Sequence, residues 1–383
     1  MNELRAAMSK KEYKSTNHKI EFSDSRSLST IKNDSVDLVV TSPPYPMIEM
    51  WDSLFASLNP EINDSLQQFN GLRAFELMNQ ELDKVWNELA RVVKESRFVC
   101  INIGDATRKI GKQFQLYSNH SRVTSKFIAL GFQPLPIALW KKATNAPNKF
   151  MGSGMLPAGA YITLEHEYIL VFRKGGKREF STADEKSLRN QSAFFWEERN
   201  KWFSDSWDLK GVRQAIKNEN IRERNAAYPF ELPYRLINMY SVKGDTVLDP
   251  FLGTGTTTFA AISAERNSIG FEYDKNFLPV ILDGLKDLCR TANRGITKRL
   301  EDHISFCEEY QKAKGSLKYT NKCFGFPVMT RQEIDFDLKH ISKINSADPR
   351  SITAQYQPVK FVSRLIESSI AQYEESKNDD LLL

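Results

Sequence analysis

A chain of 383 residues with 41% hydrophobic content and a formal net charge of +5 is long enough to bury one large core, or one core plus a satellite. No apolar run reaches the length of a bilayer span and residues 1–11 are polar and charged, which argues against a membrane anchor or secretion signal and for a cytoplasmic protein. The four cysteines, Cys100, Cys289, Cys307 and Cys323, and the five histidines are scattered, so neither a disulfide framework nor a structural metal site is expected.

The first clear element is a strand over 35–40, which runs into Thr41-Ser42-Pro43-Pro44-Tyr45. Two consecutive prolines remove two N–H donors and pin the backbone, leaving carbonyls in fixed directions. An amino group suits them: Ser42 Oγ and the Pro43 carbonyl can each accept one of its hydrogens. Tyr45 then offers a face for the ring that carries the amine. Leu82, Val85, Trp86, Leu89, Val92 and Val93 recur at helical spacing and predict a helix over 79–95. The next strand, Phe98–Ile103, ends in Gly104-Asp105, where Asp105 is either an acid of the ligand crevice or the cap of the following turn. A helix over 122–130 stopped by Gly131, a strand over 135–140 and another over 167–173 follow.

Near 246–249 a short apolar strand enters Asp249-Pro250-Phe251-Leu252-Gly253-Thr254-Gly255-Thr256, and a helix follows over 258–265. Such glycines let the backbone approach a ligand, and the helix start presents free N–H groups. Glu272 ends the next strand, 268–271, about 20 residues downstream, where a carboxylate can accept from ribose hydroxyls. No third glycine follows Gly255, and Asp249 would repel a phosphate. A nucleoside with positive charge fits better, and S-adenosyl-L-methionine carries both a sulfonium and an ammonium. Helices over 232–240 and 277–288 flank this unit. Alternation of strands and helices predicts an α/β fold with a mostly parallel, doubly wound sheet. Parallel strands would bring both loops to one edge.

Together these segments resemble the amino-group DNA methyltransferases, which act on the exocyclic nitrogen of cytosine or adenine. Ser42-Pro43-Pro44-Tyr45 is similar to their catalytic loop and the segment from Asp249 to Thr256 to their cofactor loop. Asn225 to Pro233, with Tyr228 and Pro229, is similar to the segment that covers the cofactor, although Asn225 stands where His is usual. Catalytic loop first and cofactor loop last is the permuted order of the beta group, familiar from type II restriction-modification systems. The resemblance implies a circularly permuted Rossmann-like methyltransferase fold. It assigns Ser42, Pro43, Pro44 and Tyr45 to catalysis, and Asp249, Phe251, Gly253, Gly255, Thr256, Glu272, Tyr228 and Pro229 to S-adenosyl-L-methionine.

The implied organisation is a catalytic half over 18–173, a target-recognition insertion over 174–224, a cofactor half over 225–295, a basic accessory region over 296–372 and an acidic tail over 373–383. Three stretches could meet double-stranded DNA. Lys141–Tyr161 is a long loop or a solvated connector. Lys174–Arg224 interleaves Trp196, Trp202 and Trp207 with basic residues, as a small core or a base-stacking platform. Gln311–Arg364 carries ten Lys and Arg against four acids, either a phosphate-binding footprint or a charged solvated face.

By resemblance, Ser before Pro-Pro-Tyr is typical of cytosine N4 methylation, and Asp or Asn there of adenine N6 methylation. The target nucleotide would be turned out of the duplex and methylated directly, without a covalent intermediate. A DNA-binding subunit without activity is the alternative of another class. A companion restriction endonuclease that shares the site is compatible with either.

Overall fold

The computed structural model describes residues 15–142, 151–210 and 228–359. Its strands, in chain order, are β1 (Ser15–Phe22), β2 (Val36–Thr41), β3 (Val93–Ile103), β4 (Phe132–Lys141), β5 (His166–Lys174), β6 (Ser206–Asp208), β7 (Thr246–Asp249), β8 (Asn267–Glu272), β9 (Lys339–Asn345) and β10 (Ile352–Pro358). These make one ten-stranded sheet in the order β6-β4-β5-β3-β2-β7-β8-β1-β10-β9. From β3 to β1 neighbouring strands are parallel.

Helices α1 (Asp52–Leu58), α2 (Glu61–Gln67), α3 (Gly71–Val92) and α4 (Asn119–Ala129) cover one face, against Val39, Val99 and Ile101. On the other lie α7 (Glu231–Tyr240) and α8 (Thr256–Ser263), against Leu38, Val40 and Val247. The alternation of Leu38, Val39 and Val40 between two cores follows from the two-residue period of a strand, and explains why three consecutive apolar residues are buried in β2. A helix on each face shields the parallel centre from water. The helix expected over 79–95 is α3, which begins earlier, at Gly71, with the Asn70 side chain accepting from the Arg73 N–H as its cap.

Three expectations are corrected. The strand over 167–173 lies in β5, which is antiparallel to both β3 and β4, so that wing of the sheet is mixed. β4 and β5 are antiparallel neighbours, so no crossover between parallel strands is required to join them. The helix expected over 277–288 is α9, Leu278–Lys314. Its buried positions Ile281, Leu285, Leu288, Ala292, Ile296, Leu300 and Ile304 keep a helical spacing well past 288, through the polar residues between them.

The third correction concerns the basic stretch over 296–372, which is not set apart from the sheet where it is described. β10 pairs with β1, and β9 with β10. Phe324, Phe326, Val328, Phe336 and Leu338 form a satellite core with the second half of α9 and with Phe195. Residues 360–372 and the acidic stretch over 373–383 lie outside the described residues. In the Lys174–Arg224 stretch, α5 (Ala183–Gln191), α6 (Trp196–Trp202) and β6 are described, and residues 211–224 are not. Trp202 and Trp207 are buried, the Trp207 indole donates to the Trp202 and Ser204 carbonyls, and β6 closes the sheet beside β4. These two tryptophans are therefore core; Trp196 is partly exposed and stacks on Phe306.

A chain ended after Arg294 would cut α9 and remove both β10, the antiparallel neighbour of β1, and the satellite core. We expect it to lose cooperative unfolding, measured by urea denaturation followed by circular dichroism. A truncated chain with the full-length midpoint would mean that the C-terminal strands are dispensable.

Candidate active site

β2 and β7 are adjacent and parallel, with Leu38 opposite Val247 and Val39 opposite Leu248. Their carboxyl ends release the Ser42 to Tyr45 loop and the Asp249 to Thr256 turn side by side, the usual place for a ligand crevice in an open α/β sheet. A cleft of about 730 Å³ lies there, lined by Ser42, Pro43, Pro44, Tyr228, Phe251, Gly253, Thr256 and Glu272. That volume is the scale of a cofactor site. The cleft thus brings together eight of the residues selected from the sequence.

Gly255 precedes α8 with φ 89°, a left-handed backbone in which a Cβ would also meet the Phe259 ring at 3.2 Å; glycine is the residue that this turn tolerates. Gly253 donates its N–H to Glu272 Oε2 at 2.7 Å, and Asp274 N–H donates to Glu272 Oε1 at 2.8 Å. Two backbone donors aim the carboxylate at the cleft. Burial raises the Glu272 carboxyl above the usual carboxylate range. Pro43, Phe251, Leu54 and Phe277 add apolar walls to the same cleft. An anchored carboxylate beside apolar walls and a glycine-lined turn fits a nucleoside with ribose hydroxyls to donate.

Asp249 does not line the cleft, contrary to a direct contact with a cationic ligand. It is 2% exposed. Oδ1 accepts from Thr41 Oγ1 at 2.6 Å and Phe251 N–H at 3.0 Å. Oδ2 accepts from Thr257 Oγ1 at 2.6 Å and the Tyr228 hydroxyl at 3.3 Å. Every lone-pair direction is filled from the loops around it, so the carboxylate joins the two loops and Tyr228. Burial still lifts its carboxyl above the usual range despite these donors. Pro229 lies just before α7, its carbonyl accepting from Leu232 N–H at 3.0 Å. Residues 225–227 lie outside the described residues.

Asp105 is also turned from the cleft. Its carboxylate accepts from the His120 backbone N–H at 3.1 Å and faces His120 Nδ1 at 2.8 Å, at the start of α4. That is the capping alternative.

Several residues at the site carried no sequence signal. The loop after β1 brings Asp24 and Arg26 to the cleft, where Arg26 pairs with Asp24 at 2.7 Å and Glu81 at 2.5 Å. β1 is hard to read because its inward side chains include Thr16 and His18. Tyr45, expected to offer a face to the acceptor ring, does not line the cleft: it is 9% exposed, and its hydroxyl donates to Glu167 Oε2 at 2.8 Å. Asn102 Nδ2 reaches both the Tyr45 hydroxyl at 2.9 Å and Glu167 Oε2 at 2.6 Å. Lys142 pairs with Glu167 Oε1. Among the described residues no group of three or more His, Cys, Asp or Glu could hold a metal ion, and no helix is long and apolar enough to cross a membrane.

Two loops released side by side by adjacent parallel strands thus share one cleft in an α/β sheet with helices on both faces, an arrangement that fits a Rossmann-like methyltransferase, and comparison with known proteins agrees. A family model described as DNA methylase, covering N6 and N4 methyltransferases, matches residues 36–283; the chain belongs to this family. It is 54% identical over 325 residues to the type II methyltransferase M.MthZI of Methanothermobacter thermautotrophicus, an alignment that covers 84% of this chain and 90% of that one. To M.MjaI of Methanocaldococcus jannaschii, another type II methyltransferase, it is 51% identical over 277 residues, 70% of this chain and 90% of that one. Among solved structures, TTHA0409 of Thermus thermophilus, a putative DNA modification methylase in complex with S-adenosyl-L-methionine, superposes with a TM-score of 0.53 at 29% identity, over 69% of this chain and 91% of that one.

Replacing Asp249 by Ala should leave Thr41, Thr257 and the Phe251 N–H without their acceptor, at about 1–3 kcal/mol for each group that stays unpaired. Asp249→Asn keeps an acceptor oxygen for Thr41 and Phe251 and removes the charge. Because the folded carboxyl sits above its unfolded value, the charged form costs stability at neutral pH and that cost fades as pH falls. Urea midpoints at pH 7 should therefore rank Asn well above Ala, and equal midpoints would overturn the joining role.

Proposed function

We propose that this chain transfers the methyl group of S-adenosyl-L-methionine to the exocyclic N4 of cytosine in duplex DNA. The observation that carries the reading is a single cleft walled on one side by Ser42, Pro43 and Pro44 and on the other by Gly253, Thr256 and Glu272. Acceptor and donor groups would lie side by side in it. When bound, the cofactor supplies an electrophilic methyl on a sulfonium.

The residues of the chain account for the rest. Glu272 accepts from the ribose hydroxyls, and Phe251 and Phe277 pack against the nucleoside. Ser42 Oγ and the Pro43 carbonyl accept the two amine hydrogens. That favours a tetrahedral nitrogen whose lone pair is free of the ring. Tyr45 supports the acceptor loop from behind, its hydroxyl 3.1 Å from Ser42 Oγ. Proximity and orientation then contribute much of the acceleration. No cysteine serves as a nucleophile: Cys100 is buried and desolvation pushes its thiol far above the usual range.

By the family resemblance, Ser42 where Asp or Asn would be typical of adenine methylation favours cytosine over adenine. The DNA methylase family match and the type II names of M.MthZI and M.MjaI support DNA as substrate; a companion endonuclease with the same site and a cytoplasmic setting would follow from that reading. Phosphate contacts fall to the basic residues of the 311–364 stretch, among them Lys339 and Lys343 on β9. Base reading falls to the Lys174–Arg224 stretch or to residues 151–165, where Met155, Leu156 and Ile162 are exposed.

Mass spectrometry of nucleosides from DNA of cells expressing the chain should detect N4-methylcytosine; N6-methyladenine in its place would reverse the base assignment. Ser42→Ala should abolish transfer while calorimetry finds cofactor affinity unchanged. Glu272→Ala should weaken S-adenosyl-L-methionine by about tenfold or more, the loss of a charge-assisted hydrogen bond of about 1.5–3 kcal/mol. An unchanged dissociation constant would remove Glu272 from the cofactor site.

A further inference from the structure

Behind the catalytic loop lies a buried polar cluster drawn from separate strand ends: Tyr45 after β2, Asn102 near the end of β3, Glu167 at the start of β5 and Lys142 just beyond β4. Glu167 is 6% exposed and Asn102 1%. A carboxylate so far from water is costly unless it is hydrogen-bonded and paired. Here it is both. Oε2 receives the Tyr45 hydroxyl and the Asn102 amide, while Oε1 faces the partly exposed Lys142 ammonium.

The cluster reaches the acceptor site through one further contact. The Tyr45 hydroxyl lies 3.1 Å from Ser42 Oγ, so the same phenol that is tied to Glu167 touches the hydroxyl on the cleft wall. Gly104 completes the seat, since a Cβ there would stand 3.1 Å from the Tyr45 ring. Burial, with the Glu167 charge beside it, holds the Tyr45 phenol well above its ordinary range, so the hydroxyl remains a donor to the carboxylate. Asn102 cannot be turned round, because its Nδ2 serves two acceptors; its Oδ1 is left buried with no partner among the described residues. An unpaired buried acceptor lowers stability, which speaks for a role other than cohesion of the core.

We propose that Glu167, held by Asn102, is a positioning residue for methyl transfer: it fixes the Tyr45 phenol and, through the Tyr45 hydroxyl, the rotamer of Ser42. This rests on the reading of Ser42 to Tyr45 as the acceptor loop. Glu167 works as an oxygen acceptor. Its charge is matched by Lys142 and is not itself used on the substrate.

The test compares wild type, Glu167→Leu, Glu167→Gln, Tyr45→Phe and the double variant Glu167→Leu/Tyr45→Phe on a duplex that the wild type methylates. Glu167→Leu should lower kcat by about tenfold or more with cofactor dissociation constant and duplex KM unchanged. Glu167→Gln should recover most of the rate, since the amide oxygen still accepts from Tyr45 and Asn102 while Lys142 swings into solvent. In the double variant the loss should be no greater than in the worse single, because the Tyr45 hydroxyl is the path of the effect. Should Glu167→Leu fail to fold, Asn102→Ala takes its place in the cycle. Losses that multiply in the double variant, a Gln variant as slow as Leu, or an effect confined to KM would each overturn the proposal. A wild type inert on all DNA would instead sink the acceptor-loop reading beneath it.

Discussion

The hydrogen bond from Thr41 to Asp249, 2.6 Å between side chains 208 residues apart in sequence, is the contact on which the site depends. It joins the last residue of β2 to the last residue of β7, at the point where one strand releases the proline loop and the other the glycine turn. A neutral pair would hold the strands equally well at lower desolvation cost. The carboxylate differs in gathering four donors at once: Thr41 at the end of β2, Thr257 in α8, the Tyr228 hydroxyl and the backbone N–H of Phe251. Charge-assisted bonds are shorter and stiffer than neutral ones, so the separation of the two loops is set tightly where the cleft needs it.

Rigidity continues outward from that pair. Glu272 is tied to the backbone of the glycine turn, and Tyr45 to Glu167 and Asn102, so each wall of the cleft is anchored from behind by a carboxylate. A site whose side chains are held by such supporting bonds loses little entropy on engaging a ligand. The polar groups are costly to bury, and the helices packed on both faces of the sheet offset that cost with apolar area.

The central strands and the two loops were legible because their signals are local. Val36 to Val40 and Thr246 to Asp249 are short apolar runs, and the prolines and glycines after them have few conformational alternatives. The cleft lining from Ser42 to Pro44, and Gly253, Thr256 and Glu272, came from the same local chemistry. β1 escaped notice because Thr16 and His18 point inward, where they bond to each other at 2.7 Å and His18 bonds to Ser268 at 2.8 Å; buried polar pairs erase an apolar period. The direction of β5 and the full length of α9 depend on tertiary partners, Ile103 opposite Tyr168 in one case and the Phe195 to Phe336 core in the other. Glu167 looked like any acid at a strand start. Only the fold places it under Tyr45.

The neighbours of β2 have a consequence for how the chain assembles. β3 and β5 are made soon after β2 and can pair at once, but its other edge waits for Val247 and Leu248, and β1 waits still longer, for the residues around Ser268. Until then that edge of β2, with Leu38, Val39 and Val40 at its centre, has no partner strand, and an unpaired edge is a template for another strand. Such long-range pairing is slow. Mutations that slow the closure of β7 on β2 would therefore be expected to show as lost soluble yield before they showed as lost stability.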